Sequence, residues 1–242
     1  MKGAWADLSA AFSFLSIVPL KPDGSRPPGG AFAYFPLVGL FVGAALAALT
    51  ALPIAVDGRT FFALVAWVVL SGGLHLDGWG DACDGLFATT TPERRLEIMK
   101  DPRAGMWAVV GICLLLLGKF GALRGLSPLL LIASPVAGRW AMVLAAYAFP
   151  AARASGSGAY LRAGLGRTQV ITATIFAVLI CGALAVVDRR AAIGLAAAPL
   201  VALGAGRWAA GRLGGGLTGD VYGALCELTE LACLWGAVLW AG

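Results

Sequence analysis

Charged side chains are scarce in this chain: they make up 13% of its 242 residues, where a soluble domain carries about 25%. That scarcity excludes an ordinary soluble domain, because 60% of the residues are hydrophobic and they gather into long apolar runs. Alternating ten-residue patterns are lacking, which argues against an outer-membrane barrel. The five cysteines form no CxxC pair, which removes thiolate metal sites and redox motifs. Cys83 stands among hard oxygen ligands and the other four cysteines in apolar surroundings, so all read as small hydrophobes. No basic region precedes "AWADLSAAFSFLSIVPL", so it is not a cleavable signal. Asp7 and Pro19 also make it a poor span, and an amphipathic segment on the membrane surface fits better. No polar stretch is long enough for a separate soluble domain, and no internal repeat is visible. The expectation is an all-α polytopic membrane helix bundle, one integral membrane domain over residues 1–242.

What is present is a ladder of about seven apolar segments of spanning length. They run from Ala31 to Val56, from Thr60 into the stretch "SGGLHLDGWGDACDGLF", and near Gly105 to Leu123, Leu126 to Phe149, Val170 to Val187, Ala191 to Trp208 and Val221 to Trp240. Glycine and alanine within them suit close helix packing in lipid. The net charge of +5 reports topology rather than nucleic-acid binding. With the segment before Ala31 placed in the cytoplasm, that side holds Lys2, Lys21, Arg26, Arg94, Arg95, Lys100, Arg103, Arg153, Arg162, Arg167, Arg207 and Arg212. The other side holds Arg59, Arg124, Arg189 and Arg190. The bias puts both "DGWGDACDG" and "GGGLTGD" at the cytoplasmic face of an inner membrane.

Asp77, Asp81 and Asp84 are spaced i, i+4, i+7 and share one helix face. Such a stripe repels itself unless a cation sits in it. No basic residue lies between Gly72 and Pro92, so a divalent metal, Mg²⁺ by ligand type, is favoured over a solvated helix end or a monovalent-ion or proton site. The glycines Gly72, Gly73, Gly78, Gly80 and Gly85 would let a large ligand approach the backbone. "RRLEIMKDPRAG" then brings Arg94, Arg95, Lys100 and Arg103 around one more carboxylate, Asp101. Acids followed by cations fit a metal-bridged diphosphate, although the arginines could be plain loop charges.

His75 is off the aspartate face and reads as a ligand support, a substrate contact, a proton acceptor or a structural group. Lys119 and Arg139 are costly at membrane depth. Lys119 could snorkel, whereas Arg139 reads as an inward-facing anion contact. Asp220 opens the last segment as a helix cap or a ligand contact, with Glu227 on the same face and Glu230 a turn beyond.

The motifs "FPLVGLFVG", "GGLHLDGWGDACDGLF", "RRLEIMKDPRAG", "LLLLGKFGAL" and "GGLTGDVYGALCELTEL", in this order between Phe12 and Leu231, resemble the cobalamin synthase family, the adenosylcobinamide-GDP ribazoletransferases. The resemblance implies a Mg²⁺-dependent, multi-pass enzyme of the cytoplasmic membrane. Its substrates would be adenosylcobinamide-GDP and α-ribazole or its 5′-phosphate, and its products adenosylcobalamin or its 5′-phosphate and GMP. Membrane lipids and further copies of the chain are the other candidate partners. In that chemistry Asp77, Asp81, Asp84 and Asp101 would hold metal. Lys100, Arg103, Arg139, Asp220 and Glu227 would contact substrate, and Asp101 or His75 would take the hydroxyl proton. A looser likeness to CDP-alcohol phosphotransferases rests on DxxDGxxAR, in which Asp81, Asp84, Gly85 and Ala88 fit but Thr89 replaces the arginine. A lipid-synthesising enzyme of that kind and a cation-coupled transporter are the rival readings.

Overall fold

The computed structural model describes residues 2–21, 27–153 and 157–240. Two cations of the topology count lie outside this description, Arg26 entirely and Lys2 in its side chain. Among the described residues the chain is helical, apart from connections and one isolated bridge between Ala151 and Leu217. In chain order come α1 (Lys2–Leu15), a 3₁₀ segment (Pro28–Tyr34) running into α2 (Phe35–Leu49), α3 (Val56–Leu70), α4 (Leu74–Phe87), α5 (Pro92–Ile98) and α6 (Met106–Leu123). Then follow α7 (Pro128–Ala148), α8 (Ser157–Arg162), α9 (Arg167–Val187), α10 (Ile193–Leu200), α11 (Gly206–Arg212) and α12 (Gly219–Val238).

Among the described residues six stretches are long and apolar enough to cross a membrane: Pro28–Leu49, Met106–Leu123, Pro128–Ala148, Arg167–Val187, Arg189–Arg212 and Gly219–Val238. These make the chain a multi-pass membrane protein. The second expected span departs from expectation. It is broken at Ser71–Gly73 and bent by 84°, so that α3 and α4 qualify only as a broken pair. Gly72 and Gly73 have φ of +62° and +70°, a left-handed corner that a β-carbon would strain by about 1–2 kcal/mol per residue.

α7 forms the centre. Its start is built for the task, with Pro128 in the first turn and the Ser127 hydroxyl accepting the Leu129 N–H at 3.3 Å. It is buried along most of its length and packs against α2, α9, α10 and α12. Small residues make this close. A β-carbon on Gly39 would lie 2.5 Å from the Pro135 carbonyl, and one on Gly43 2.6 Å from the Ile132 Cα. The outer helices carry exposed Leu114, Leu117, Ile171, Ile175 and Leu179, as lipid contact requires. α1 is held on the 3₁₀ segment and α2 by buried Ala11 and Leu15, and the Ile17 N–H donates to the Leu70 carbonyl at 3.0 Å, beside the α3–α4 corner.

Candidate active site

The corner sends α4 across the start of α12. The two backbones nearly touch, because a β-carbon on Gly78 would stand 2.8 Å from the Asp220 carbonyl. This crossing joins what the sequence separates by more than a hundred residues. Asp81 lies in the fields of Asp220, Asp77 and Asp84, and Arg153 is a cation acting on it. Arg153 also acts on Asp220 and donates from Nη2 to the Leu96 carbonyl at 2.5 Å. Asp220 does not cap α12: Thr218 does, accepting the Val221 N–H at 3.4 Å, and Asp220 hydrogen-bonds Thr218. It is therefore free to face the aspartate stripe.

The three stripe aspartates differ. Asp77 is exposed and Asp81 half-buried. Asp84 accepts the Gly105 N–H at 2.6 Å and the Ala108 N–H at 2.9 Å, so its charge sits on the N-terminus of α6. Each oxygen keeps a second lone pair. Among the described residues no three of His, Cys, Asp and Glu converge closely enough to form a ready metal-ligand set.

The basic run after α4 disperses. Arg95 is buried and donates to the carbonyls of Gly85 at 2.9 Å and Leu86 at 2.7 Å, closing the end of α4. Arg94 pairs with Glu97 at 2.7 Å on the surface, and Lys100 is exposed. Arg103 grips Asp101 through Nε at 2.9 Å, Nη2 at 2.6 Å and its backbone N–H at 3.0 Å. These hydrogen bonds hold the Asp101 carboxyl well below the usual carboxylate range. The expected openness of α4 to a large ligand also gives way to packing. Gly78 faces Asp220, Gly80 faces Ile112, and Gly85 sits beneath Met99.

A second polar group lies inside the bundle. Lys119 of α6 reaches Glu227 at 2.5 Å and also Glu230, both on α12, and Arg139 of α7 pairs with Glu230. All four are buried, and Lys119 stands 4.0 Å over the Trp67 ring. Lys119 therefore does not snorkel. Its charge and that of Arg139 are balanced by two carboxylates, which is how charges survive at membrane depth. Arg139 faces inward as expected, but the anion it meets is a side chain of the same protein. Arg139 Nη2 also lies 3.3 Å from His75 Nδ1.

The structure thus brings together Asp77, Asp81, Asp84 and Asp220 in one place and Glu227, Arg139 and His75 in another, and it leaves Asp101, Lys100 and Arg103 on the loop after α5. Arg153 was counted in the sequence only as a loop charge. Its one signal there was its placement on the same side as the aspartates.

Residues 7–238 match the cobalamin-5-phosphate synthase family. The chain is 37% identical over 245 residues to the adenosylcobinamide-GDP ribazoletransferase of Roseiflexus sp. (strain RS-1), covering 96% of this chain and 89% of that one. It is 36% identical over 247 residues to the enzyme of the same name from Synechococcus sp. (strain ATCC 27144 / PCC 6301 / SAUG 1402/1), covering 96% and 95% of the two chains. A third, from Stutzerimonas stutzeri (strain A1501), is 37% identical over 245 residues, covering 97% and 98%. No solved structure matches the chain.

Proposed function

Because the chain belongs to the cobalamin-5-phosphate synthase family, we propose that the corner of Asp77, Asp81, Asp84 and Asp220 is where its reaction takes place. The chain is an enzyme of cobalamin biosynthesis, a transferase that joins adenosylcobinamide-GDP to ribazole. The observation behind the placement is that three carboxylates, Asp77, Asp84 and Asp220, gather around a fourth, Asp81, with Arg153 as a cation in its field.

A ribose hydroxyl of the acceptor other than the 5′-hydroxyl, whose oxygen already carries the phosphate in the 5′-phosphate acceptor, forms a bond from its oxygen to the phosphorus that carries the cobinamide. The bond from that phosphorus to the bridging oxygen breaks, and GMP leaves with that oxygen. The donor set suits Mg²⁺, since it consists of hard carboxylate oxygens in excess over cations. Asp77, Asp81 and Asp84 would hold the ion once drawn closer together than they stand here, with Asp84 using the lone pairs that its hold on α6 leaves over. When bound, Mg²⁺ supplies positive charge against the diphosphate and the departing GMP.

Arg153 takes phosphate charge at the corner, and Lys100, exposed on the loop after α5, would have to move with that loop to add to it. Arg103 orders the loop through Asp101. Of the two proton acceptors expected from the sequence, Asp101 is occupied by Arg103 and His75 Nδ1 by Arg139, so the hydroxyl proton goes to Asp220. Arg139 and Glu227 are engaged in the buried ion pairs with Glu230 and Lys119 rather than with substrate. The likeness to CDP-alcohol phosphotransferases extends as far as the DxxDG of Asp81 to Gly85. The corner faces the cytoplasm, in keeping with the distribution of loop cations.

The test is GMP release by the purified protein. Release from adenosylcobinamide-GDP should require both Mg²⁺ and α-ribazole, and labelled CDP-diacylglycerol should not be consumed. Turnover of the lipid donor, or no GMP release, would sink this reading.

A further inference from the structure

α6 starts at the acidic corner, where Asp84 accepts the Gly105 and Ala108 N–H groups, and it ends at Leu123. Its 18 residues rise about 27 Å at 1.5 Å each, close to the roughly 30 Å of a bilayer's hydrocarbon core. Leu123 therefore stands at the membrane boundary opposite the corner. A partly open cavity of about 130 Å³ lies there, about ten times what one water needs. Val56 of α3, Leu123 and Leu131 of α7 give it apolar walls, and Thr50, Arg59 and Thr60 give it polar groups.

Charge around this cavity does not cancel. Among the described residues Arg59 is the one charged side chain lining it. Its Nη1 donates to the Thr50 carbonyl at 2.8 Å. Nε and Nη2 have no partner among the described residues and, unlike the enclosed Nε of Arg153, they stay open to solvent. The Thr60 hydroxyl is likewise open and without a partner among the described residues. The Thr50 hydroxyl is turned away, donating to the Ala47 carbonyl at 2.6 Å. Asp57, two residues before Arg59, is held by Arg124 at 2.8 Å. The cavity is left with a guanidinium fork, a hydroxyl and no carboxylate to answer them. That donor set fits a phosphate, which a guanidinium can grip through two parallel N–H bonds.

The rim of the cavity decides between the two sources of a phosphate, a lipid headgroup and a free ion. The connection from α2 to α3 reads "ALPIAV", Ala51 to Val56, and all six of these apolar residues are exposed. Val56 belongs to the rim and to the cavity at once. A connection this apolar at the end of a spanning helix belongs against lipid rather than in water. We propose that the cavity binds the phosphate of a phospholipid in the leaflet at that boundary, with Arg59 and Thr60 as its donors. The acyl chains stay outside, against Leu52, Ile54 and Val56, because the space admits a headgroup phosphate and not a whole lipid. The site is a helix length from the corner and independent of the reaction there.

Native mass spectrometry of the full-length protein in detergent, titrated with phosphatidylglycerol, tests this. The wild type should hold one lipid more tightly than any further ones. Arg59→Met should weaken that first binding by about 10-fold or more, since it removes charge-assisted hydrogen bonds. Arg59→Lys, which keeps the charge and loses the fork, should lose less. Thr60→Val, which removes one hydroxyl and keeps the shape, should weaken binding about 2- to 5-fold. Arg189→Met, which removes an exposed cation from the loop after α9, should change nothing. Undiminished binding in both Arg59→Met and Thr60→Val overturns the site. So does an Arg189→Met loss equal to that of Arg59→Met, the mark of diffuse attraction to the surface. Diacylglycerol bound as tightly as phosphatidylglycerol overturns the role of the phosphate. Inorganic phosphate that binds with the same dependence on Arg59 and displaces the lipid at equal concentration overturns the lipid as occupant.

Discussion

The acidic corner and the buried Lys119–Glu227–Glu230–Arg139 group use the same kinds of side chain to opposite ends. Inside the bundle two cations meet two carboxylates and almost no charge is left over. At the corner, Asp77, Asp81, Asp84 and Asp220 lie together with Arg153 acting on Asp81 and Asp220, and Asp77 is open to solvent. Balanced charge in a dry interior holds helices in register, while unbalanced charge at an edge is a place for something positive to arrive. On the proposed function, the difference is between charge used for structure and charge kept for a ligand, and it can be broken experimentally from either side.

The largest effect should come from the buried group. Glu230→Gln leaves Lys119 and Arg139 underpaired and should destabilise the folded protein by about 3–5 kcal/mol, read as a lowered unfolding midpoint in detergent. Lys119→Met combined with Glu227→Gln, which removes one charge of each sign, should be less damaging than Lys119→Met alone. An additive outcome would mean that the pairing does not hold the helices.

Next in size, Asp81→Asn should lower GMP release by about 10²–10³-fold with the unfolding midpoint unchanged or raised, because it relieves repulsion. Asp84→Asn should behave differently. It should lose activity and also about 1 kcal/mol of stability, because the Asp84 carboxylate holds the start of α6. Equal stability of the two variants would erase the distinction between them.

The smallest effect belongs to Asp101. With its pKa depressed by Arg103, the pair's contribution to stability is present above the ordinary carboxylate range. It is lost only as pH falls through the lower folded value. Asp101→Asn should therefore leave the acid limb of the pH–rate profile where it is. A shifted limb would make Asp101 the proton acceptor after all.

Much of this was legible before folding. The i, i+4, i+7 spacing of Asp77, Asp81 and Asp84 needs only helix geometry to predict a shared face, and the apolar runs needed only length to predict their spans. The break between α3 and α4 was harder, because the apolar run continues up to Gly72 without a proline or a charge. Only the paired glycines hinted that one stretch would become two helices at 84°. Arg95 shows the opposite failure. Four cations in ten residues read as one patch, yet helix packing turned Arg95 inward to the end of α4 and left Lys100 outward.

By itself the sequence determined the class of the protein, six of its seven expected apolar spans and the stripe of acids, because hydrophobicity and helical spacing are properties of neighbours along the chain. Tertiary structure alone decided that Asp220 completes the corner and Asp101 does not. It likewise decided that Arg153 is the nearby cation, and that Arg139 serves Glu230 and His75. Those pairings depend on how α4, α7 and α12 cross, and the crossings are set by where glycine lets two backbones meet, as at Gly78 and Asp220.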